Sequence, residues 1–279
     1  MLVDAQPKKF SDLVRISGFS HGTDVWLNNA KDLITSGTAT VSQLIACRDD
    51  IMITLIHDGL EESRAFKIME SVRKGKGLTP DDEAYMSDNN VPAWYIGSCK
   101  KIKYLFPKAH AVAYVMMAFR IAYYKVYHPL AFYAAAFSVR TDDFDADIIC
   151  KGLDEVRAQI ERIKAAGNDA SEKDKKFSIV LELALEMYAR GLEMGRIDLE
   201  KSKALEFDVI DNKLIPPFAA LQGLGQSVAE SIVEARNKAP FKSVEDLGNR
   251  AKIGSSILET LRNHGVLEGL PESDQLQLF

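Results

Sequence analysis

Apolar residues along this chain of 279 residues recur mostly at the spacing of an α-helix, and one short stretch alternates instead. The helical spacing predicts helices at 41–58, 60–73, from Thr79-Pro80 onward, 107–127, 143–166 and 174–192. Alternation begins at residue 204 and ends at 210, and Asp211-Asn212 supplies a turn before a short return strand at 213–215. The sequence therefore predicts a mainly α protein: a helical region, a small β-hairpin, and short helices punctuated by glycine.

The composition excludes several classes of protein. Hydrophobic residues make up 47% of the chain and charged residues 27%, which is the balance of a soluble globular protein. No apolar run approaches the roughly 18 residues that a membrane helix needs, and residues 1–10 lack the apolar core of a signal peptide. The cysteines Cys47, Cys99 and Cys150 are isolated and form no CxxC pair. We therefore expect a cytoplasmic protein with no membrane partner, no disulfide and no zinc site.

The charge of the chain is distributed unevenly. The net charge of −5 on its own argues against a nucleic-acid partner. However, residues 95–140 contain no Asp or Glu, and seven Lys or Arg residues lie there among aromatic residues. An acid-free basic stretch with interleaved aromatic residues is typical of a surface that binds anions and stacks bases. The alternative is a solvated helix face that happens to be basic.

Residues 221–232 fit the helix-hairpin-helix pattern, in which two glycines flank an apolar residue before a helix. Glycine lets the backbone turn tightly and approach a phosphate, and the first N–H groups of the next helix point toward that phosphate. Such contacts bind the DNA backbone and do not discriminate between base sequences. Residues 241–247 and 252–258 form a degenerate second copy. The predicted DNA-binding residues are Gly223, Leu224, Gly225, Gln226, Ser227, Lys252, Gly254 and Ser255.

Two considerations weaken this DNA-binding prediction. A single Gly-X-Gly before a helix is more often an ordinary loop-to-helix turn. In addition, residues 201–279 contain nine Lys or Arg and eleven Asp or Glu, so this region has no excess of positive charge. We therefore expect weak duplex binding that depends strongly on salt.

The last five residues place leucine and phenylalanine side chains at the end of a polar segment. Folding gives no reason for such apolar side chains in a terminal peptide, whereas docking into a hydrophobic groove of a partner does. The predicted contact residues are Gln275, Leu276, Leu278 and Phe279, with the glutamine side chain hydrogen bonding at the rim. Their spacing closely resembles the pentapeptide that binds the bacterial sliding clamp. The alternative is a tail that packs on its own domain.

The start of the long predicted helix combines a lysine, a histidine and aromatic residues. Lys108 and His110 lie in its first turn, where unpaired N–H groups favour an anion. A lysine as a point charge and a histidine as a donor suit a triphosphate. Tyr114 lies one turn beyond His110 on the same face. From these residues alone, a structural role for His110 stays open.

The aspartates at 143, 145 and 147 have the spacing of a two-metal phosphoryl-transfer site. Here they follow Thr141 and open an amphipathic helix, and acidic residues stabilise the first turn of a helix. We interpret them as a helix start and not as catalytic residues or metal ligands.

Taken together, several segments resemble the PolC-type alpha subunit of bacterial DNA polymerase III, a family C replicative polymerase of low-GC Gram-positive bacteria. The matching segments are 10–18 (FSDLVRISG), 20–27 (SHGTDVWL), 91–96 (VPAWYI), 106–110 (FPKAH), 120–123 (RIAY), 223–225 (GLG) and the terminal QLQLF. The resemblance spans essentially the whole chain, and it implies a bacterial cytoplasmic protein of chromosome replication.

The resemblance implies three regions: a polymerase fingers region at 1–200, a β-hairpin and tandem helix-hairpin-helix region at 201–268, and a flexible clamp-binding tail at 269–279. In this family the fingers border the incoming nucleotide. Together with the motif at the start of the long helix, this predicts the nucleotide-binding residues Ser17, His21, Arg48, Phe106, Lys108, His110 and Tyr114. The family's metal-binding aspartates lie in the palm, upstream of the segment that matches here. Nucleotidyl transfer with Mg²⁺ is therefore expected of the intact polymerase, and this chain alone is expected to be inactive.

The partners that the resemblance implies are a dNTP, double-stranded primer–template DNA, the beta sliding clamp and the rest of the polymerase III holoenzyme. One rival reading is a free-standing, non-catalytic adaptor that tethers DNA to the clamp with the same hairpins and tail but without a nucleotide pocket. A second rival is a purely structural helical scaffold, which leaves the Gly-Leu-Gly hairpin and the tail unexplained.

Overall fold

The computed structural model describes residues 1–273. The chain divides into two compact units, Met1–Arg120 and Ile121–Phe279. Each unit has its own cluster of buried apolar side chains. This division follows packing, whereas the predicted regions 1–200, 201–268 and 269–279 follow function, and those regions remain predictions.

The first unit is helical. Its helices are α1 (Leu2–Ala5), α2 (Phe10–His21), α3 (Lys31–Thr35), α4 (Arg48–His57), α5 (Glu62–Arg73), α6 (Pro80–Asp88) and α7 (Ala93–Lys101), followed by the start of α8 (Lys108–Tyr127). An irregular turn at Trp26–Ala30 leads into α3. Residues 104–106 are extended and form single bridges to Thr23 on one side and to Cys47 on the other.

Local sequence explains several of these boundaries. The Thr79 hydroxyl accepts the Asp82 N–H at 3.1 Å, and Pro80 follows as the first helical residue, as the sequence predicts. The predicted turn after α4 is also present, because Asp58 caps the helix and Gly59 has a φ of +91°. The predicted helix at 41–58 instead begins at Arg48, because the Asp50 side chain accepts the N–H of Cys47 and caps the helix there.

The second unit combines helices with a small antiparallel sheet. Its elements are the end of α8, α9 (Pro129–Ser138), α10 (Ala146–Ile149), α11 (Leu153–Ala166), α12 (Glu172–Ala189), β1 (Asp208–Ile210), β2 (Lys213–Ile215), α13 (Gln226–Lys238), α14 (Val244–Ala251) and α15 (Ser255–Asn263). Short 3₁₀ turns occur at Thr141–Asp143, Gly167–Asp169 and Phe218–Ala220. The strands pair in register Asp208 to Ile215, and the turn residues Asp211 and Asn212 have φ values of 52° and 60°.

The buried cluster of the second unit contains side chains from α9 through α15. Phe137, Phe144 and Phe207 contact one another with ring centroids 4.9 to 5.4 Å apart. Leu247 and Leu261 of the C-terminal helices belong to the same cluster. The β-hairpin and the last three helices therefore share one core with the helices that precede them.

The predicted mainly α fold with a β-hairpin is confirmed, with one correction between 143 and 166. The single helix predicted there is divided into α10 and α11, because Asp145 caps a new helix and Gly152 adopts a φ of +104° before Leu153. Across residues 1–273, none of the helices is long and apolar enough to cross a membrane.

Helix α8 is apolar and largely exposed. Ala111 is the one buried residue in this fully described helix. The exposed large side chains are Tyr114, Met116, Met117, Phe119, Ile121, Tyr123, Tyr124, Val126 and Tyr127. The acid-free basic stretch thus combines exposed aromatic rings with cations, although Lys125 pairs with Glu186 at 2.7 Å.

Candidate nucleotide and duplex sites

The Gly-Leu-Gly hairpin places two glycines at the surface around a buried anchor. Gly223 has a φ of +83°, which favours glycine, and Leu224 is buried. Gly225 is the N-cap of α13, and an added Cβ at this position would meet nothing within 4 Å. Within residues 1–273 the N–H groups of Gln226 and Ser227 have no partner, so the first turn of α13 presents free donors.

The second copy has the same backbone arrangement with different residues. Lys252 adopts the left-handed conformation with a φ of +54°, and Ile253 is buried after it. Gly254 is the N-cap of α15, with open space around it, and Ser255 begins the helix at the surface. Lysine stands where the first copy has glycine, so this hairpin adds a positive charge beside the helix start.

Most other cations of the helix-hairpin-helix region have structural partners. Arg236 donates to the carbonyl oxygens of Leu199 and Ser202 at 2.9 and 2.7 Å, and Arg250 pairs with Asp246 at 2.9 Å. Arg262, Lys201, Lys203 and Lys213 each form an ion pair with an acidic residue. A ligand at the two hairpins would therefore meet mainly backbone N–H groups and Lys252.

In the first unit, five of the predicted nucleotide-binding residues line one open groove. The groove has a volume of about 470 Å³, and the five are Ser17, His21, Phe106, His110 and Tyr114. Four of their rings form a continuous series, which we call the ring ladder. The centroid distances are 5.2 Å from His21 to Phe106, 4.8 Å from Phe106 to His110, and 4.7 Å from His110 to Tyr114.

Hydrogen bonds orient the first ring in the ladder. His21 Nδ1 lies 2.9 Å from the Ser17 carbonyl oxygen and 2.9 Å from Ser20 Oγ. Because a carbonyl oxygen only accepts, the contact with Ser17 assigns a donor role to Nδ1. His110 contacts the rings on either side of it, and its nitrogens have no hydrogen-bond partner in the part of the chain that the structure describes.

Lys108 is held by two aspartates at the start of α8. Its Nζ lies 3.0 Å from Oδ1 of Asp50, a buried side chain, and its backbone N–H donates to Asp49 at 2.8 Å. Asp50 also accepts from the N–H groups of Ala46 and Cys47 and from Arg15. A carboxylate therefore already caps the N–H of Lys108.

Arg48 lies beside the extended segment 104–106, and its side chain is near Asp49 and Glu70. Its N–H donates to the Phe106 carbonyl oxygen at 3.1 Å, and its side chain lies 3.9 Å from Asp49 and 4.0 Å from Glu70. Glu70 in turn contacts Arg73 and Lys74. The basic run that begins at Arg73 is the one sequence feature that signals this group of charged side chains.

The three aspartates near 145 do not converge on a common point. Asp145 accepts the Asp147 N–H at 2.9 Å as a helix cap, and the Asp147 side chain lies 3.3 Å from His264 Nε2. Burial raises the pKa of Asp145. Within residues 1–273 no group of acidic, histidine or cysteine side chains can hold a metal ion. These residues therefore do not fit an Mg²⁺ site.

The four predicted clamp-binding residues, Gln275, Leu276, Leu278 and Phe279, lie outside the described residues, so that prediction stays a prediction. Apart from Arg48 and Lys108, which do not line the groove, the other predicted residues fall into two surfaces, the aromatic groove of the first unit and the paired glycine caps of the second. A groove bordered by helices, followed by two hairpins with glycine N-caps, is an arrangement that suits a nucleic-acid-binding protein.

Comparisons with known proteins support this class. Residues 1–88 match the family model of the bacterial DNA polymerase III alpha subunit finger domain, and residues 191–276 match that of the helix-hairpin-helix motif. Over all 279 residues the chain is 58% identical to the PolC-type DNA polymerase III of Bacillus subtilis (strain 168), 57% to that of Clostridium perfringens (strain 13 / Type A), and 52% to that of Caldanaerobacter subterraneus subsp. tengcongensis.

The chain belongs to the PolC-type DNA polymerase III family, which confirms the resemblance seen in the sequence. All of this chain is covered in those three comparisons, but it spans only 19 to 20% of the length of each relative. The match fits the C-terminal portion of a PolC-type polymerase that the sequence predicted.

Proposed function

We propose that this chain binds the incoming nucleotide and the primer–template duplex within a replicative DNA polymerase, and that its last residues tether the polymerase to the sliding clamp. The observation that carries the proposal is the repeated backbone arrangement at 223–225 and 252–254. In both copies a left-handed residue, a buried anchor and a glycine N-cap precede an exposed helix start. Two such helix starts on one chain suit two phosphates of a duplex.

The proposed duplex contact is independent of sequence. Backbone N–H groups and a lysine bind phosphate oxygens, which carry no base information. The cations that pair inside the fold leave few side chains for additional phosphates, which supports weak binding by this chain alone. The finger-domain match at 1–88 and the aromatic groove support a role at the nucleotide as well as at the duplex.

The proposed nucleotide site is the groove with the ring ladder. Its rings offer flat surfaces for a base. Lys108 follows Phe106 by two residues and the Arg48 N–H donates to the Phe106 carbonyl oxygen, so both side chains are proposed as phosphate ligands. For Lys108 to bind a phosphate, its Nζ must either leave Asp50 or contact Asp50 and the phosphate at the same time. A free-standing adaptor has no use for such a groove.

Nucleotidyl transfer with Mg²⁺ is assigned in this proposal to the intact polymerase. Mg²⁺ supplies charge neutralisation at the phosphates when it is bound. Asp145 caps a helix and Asp147 pairs with His264, so the proposal assigns no metal to this chain. We accordingly propose that the chain alone is inactive in nucleotidyl transfer.

The duplex proposal predicts salt-dependent binding. We expect the chain to bind a short primer–template duplex, with an affinity that falls about tenfold between 50 and 200 mM salt if about two phosphates are contacted. Fluorescence anisotropy on two duplexes of unrelated sequence measures this, and both duplexes should give the same affinity and the same salt slope. Absence of duplex binding at 50 mM salt, or a marked preference for one sequence, would contradict the proposed function.

The clamp proposal predicts a loss of tethering without a loss of fold. Replacing Leu278 and Phe279 by alanine removes two of the three apolar anchors of the tail and should weaken binding to a bacterial beta clamp by about tenfold or more. Surface plasmon resonance with immobilised clamp measures the change. The matched control is alanine at Gln277, the one residue of the last five that is not among the predicted contacts. Equal clamp affinity of the double variant and the control would refute the role of the tail.

A further inference from the structure

Three cationic side chains in the first unit surround one carboxylate, that of Glu70 on α5. Arg73 donates two hydrogen bonds to Glu70, from Nε at 2.7 Å and from Nη2 at 3.0 Å. Lys74 Nζ lies 3.1 Å from the same carboxylate, and Arg48 Nη1 lies 4.0 Å from it. We call Arg48, Arg73 and Lys74 the cation cluster. The three positive charges of the cluster exceed the single negative charge of Glu70. An anion of higher charge would therefore neutralise the cluster more completely.

The cation cluster and the ring ladder share one supporting segment. Phe106, a ladder ring, accepts the Arg48 N–H through its carbonyl oxygen at 3.1 Å. At the end of α5, Gly75 approaches residue 103 so closely that an added Cβ would lie 2.5 Å from the Lys103 carbonyl oxygen. Both contacts hold the cluster against the extended segment 103–106, which carries Phe106 into the groove.

Neighbouring charges leave the region positive. Asp49 lies 3.9 Å from Arg48 Nε but is also occupied by the Lys108 N–H. Lys76 and Lys103 flank the cluster and form no ion pair among the residues that the structure describes. The hydrogen bonds from Arg73, and then that from Lys74, lower the pKa of Glu70 to about 2. Glu70 is therefore ionised at neutral pH.

We propose that Glu70 is an internal counter-ion that holds the cation cluster in place, and that the triphosphate of a nucleotide displaces Glu70 from it. The inference rests on the proposed nucleotide site and adds the residues that would hold its phosphates. A guanidinium binds carboxylate and phosphate with the same bidentate geometry, so Arg73 can exchange one for the other without reorientation. The shared segment suits a ligand with a flat base at one end and a phosphate chain at the other.

The test measures the affinity of the chain for inorganic tripolyphosphate and for dATP by isothermal titration calorimetry. Glu70→Gln keeps the shape of the side chain and an acceptor oxygen but removes the competing charge. We expect it to bind both ligands about fivefold more tightly than the wild type. Arg73→Gln removes the bidentate donor and should bind both about tenfold more weakly. A merely structural role for Glu70 predicts weaker binding, or no change, in Glu70→Gln.

The matched control is Glu83→Gln, which removes an equal charge from the same unit. Glu83 pairs with Lys100 at 2.9 Å, away from the cation cluster in the sequence. We expect its affinities for both ligands to stay at the wild-type value, and thermal melting by circular dichroism checks that all variants are folded. If Glu70→Gln binds tripolyphosphate no more tightly than Glu83→Gln does, the proposal is overturned.

Binding of a third ligand, the primer–template duplex, tests whether the phosphates that the cation cluster binds belong to a nucleotide or to the DNA backbone. The proposal requires the duplex affinity of Glu70→Gln to equal that of Glu83→Gln. A gain in duplex affinity as large as the gain for tripolyphosphate would assign the cluster to DNA and overturn the proposal. Loss of duplex binding in the wild type would instead contradict the proposed function, so the two failures are distinguishable.

Discussion

Replacing Asp50 by alanine is expected to lower the free energy of unfolding of the first unit by about 3 kcal/mol. The Asp50 side chain is buried and joins three parts of the chain. It accepts from Lys108 Nζ at 3.0 Å, from Arg15 at 3.3 Å, and from the N–H groups of Ala46 and Cys47 at 3.1 and 3.0 Å. Alanine leaves all four donors without this acceptor, and Arg15 stays partly buried.

Urea unfolding followed by tryptophan fluorescence measures this change. Trp26 and Trp94 both lie in the first unit and are the only tryptophans of the chain, so their signal reports on that unit. The matched control is Asp81→Ala, which removes an exposed ion pair with Arg64 and should cost less than about 1 kcal/mol. Equal unfolding midpoints for the two variants would show that Asp50 does not stabilise the unit.

Asp50 also positions a residue of the proposed nucleotide site. Asp50 and Asp49 hold both the side chain and the backbone N–H of Lys108, so they determine where that ammonium group lies when no ligand is present. The burial of Asp50 makes this arrangement part of the fold. Lys108 is thus positioned by the core of the unit, whereas His110 and Tyr114 are positioned by their place on α8 and by ring contacts.

Features that depend on neighbouring residues were predictable from the sequence. The Thr79 cap with Pro80 after it, the Asp211-Asn212 turn and the Gly225 helix start each require a few adjacent residues, and the structure has all three. The chemistry of these positions is local: a hydroxyl near a free N–H, residues that tolerate positive φ, and a glycine before a helix.

Features that depend on distant residues were not predictable. Asp50 and Lys108 are 58 positions apart, and no neighbouring residue in the sequence indicates that they are in contact. Glu70 meets Arg48 only because α4 and α5 pack together. Periodicity detects an amphipathic face but does not detect which charged groups the fold brings together.

Replacing Gly225 and Gly254 by glutamate is expected to lower duplex affinity by about 100-fold, or about tenfold for each substitution. Each glycine is the N-cap of a helix, has a negative φ, and has open space around it, so a side chain fits without strain. The new carboxylate would stand where the proposal places a phosphate, and it would both repel that phosphate and compete for the free N–H groups of the first turn.

Fluorescence anisotropy at low salt measures the change, with Gly97→Glu as the matched control. Gly97 also has open space around it and lies on α7 in the first unit, so the substitution adds the same charge far from the hairpins in the sequence. Loss of affinity should be equal on duplexes of unrelated sequence and should come with a smaller salt slope, because fewer phosphates are contacted. If Gly225→Glu binds as tightly as Gly97→Glu, the first hairpin does not contact DNA. If only Gly254→Glu matters, the proposed duplex site reduces to the second hairpin, where Lys252 supplies the charge.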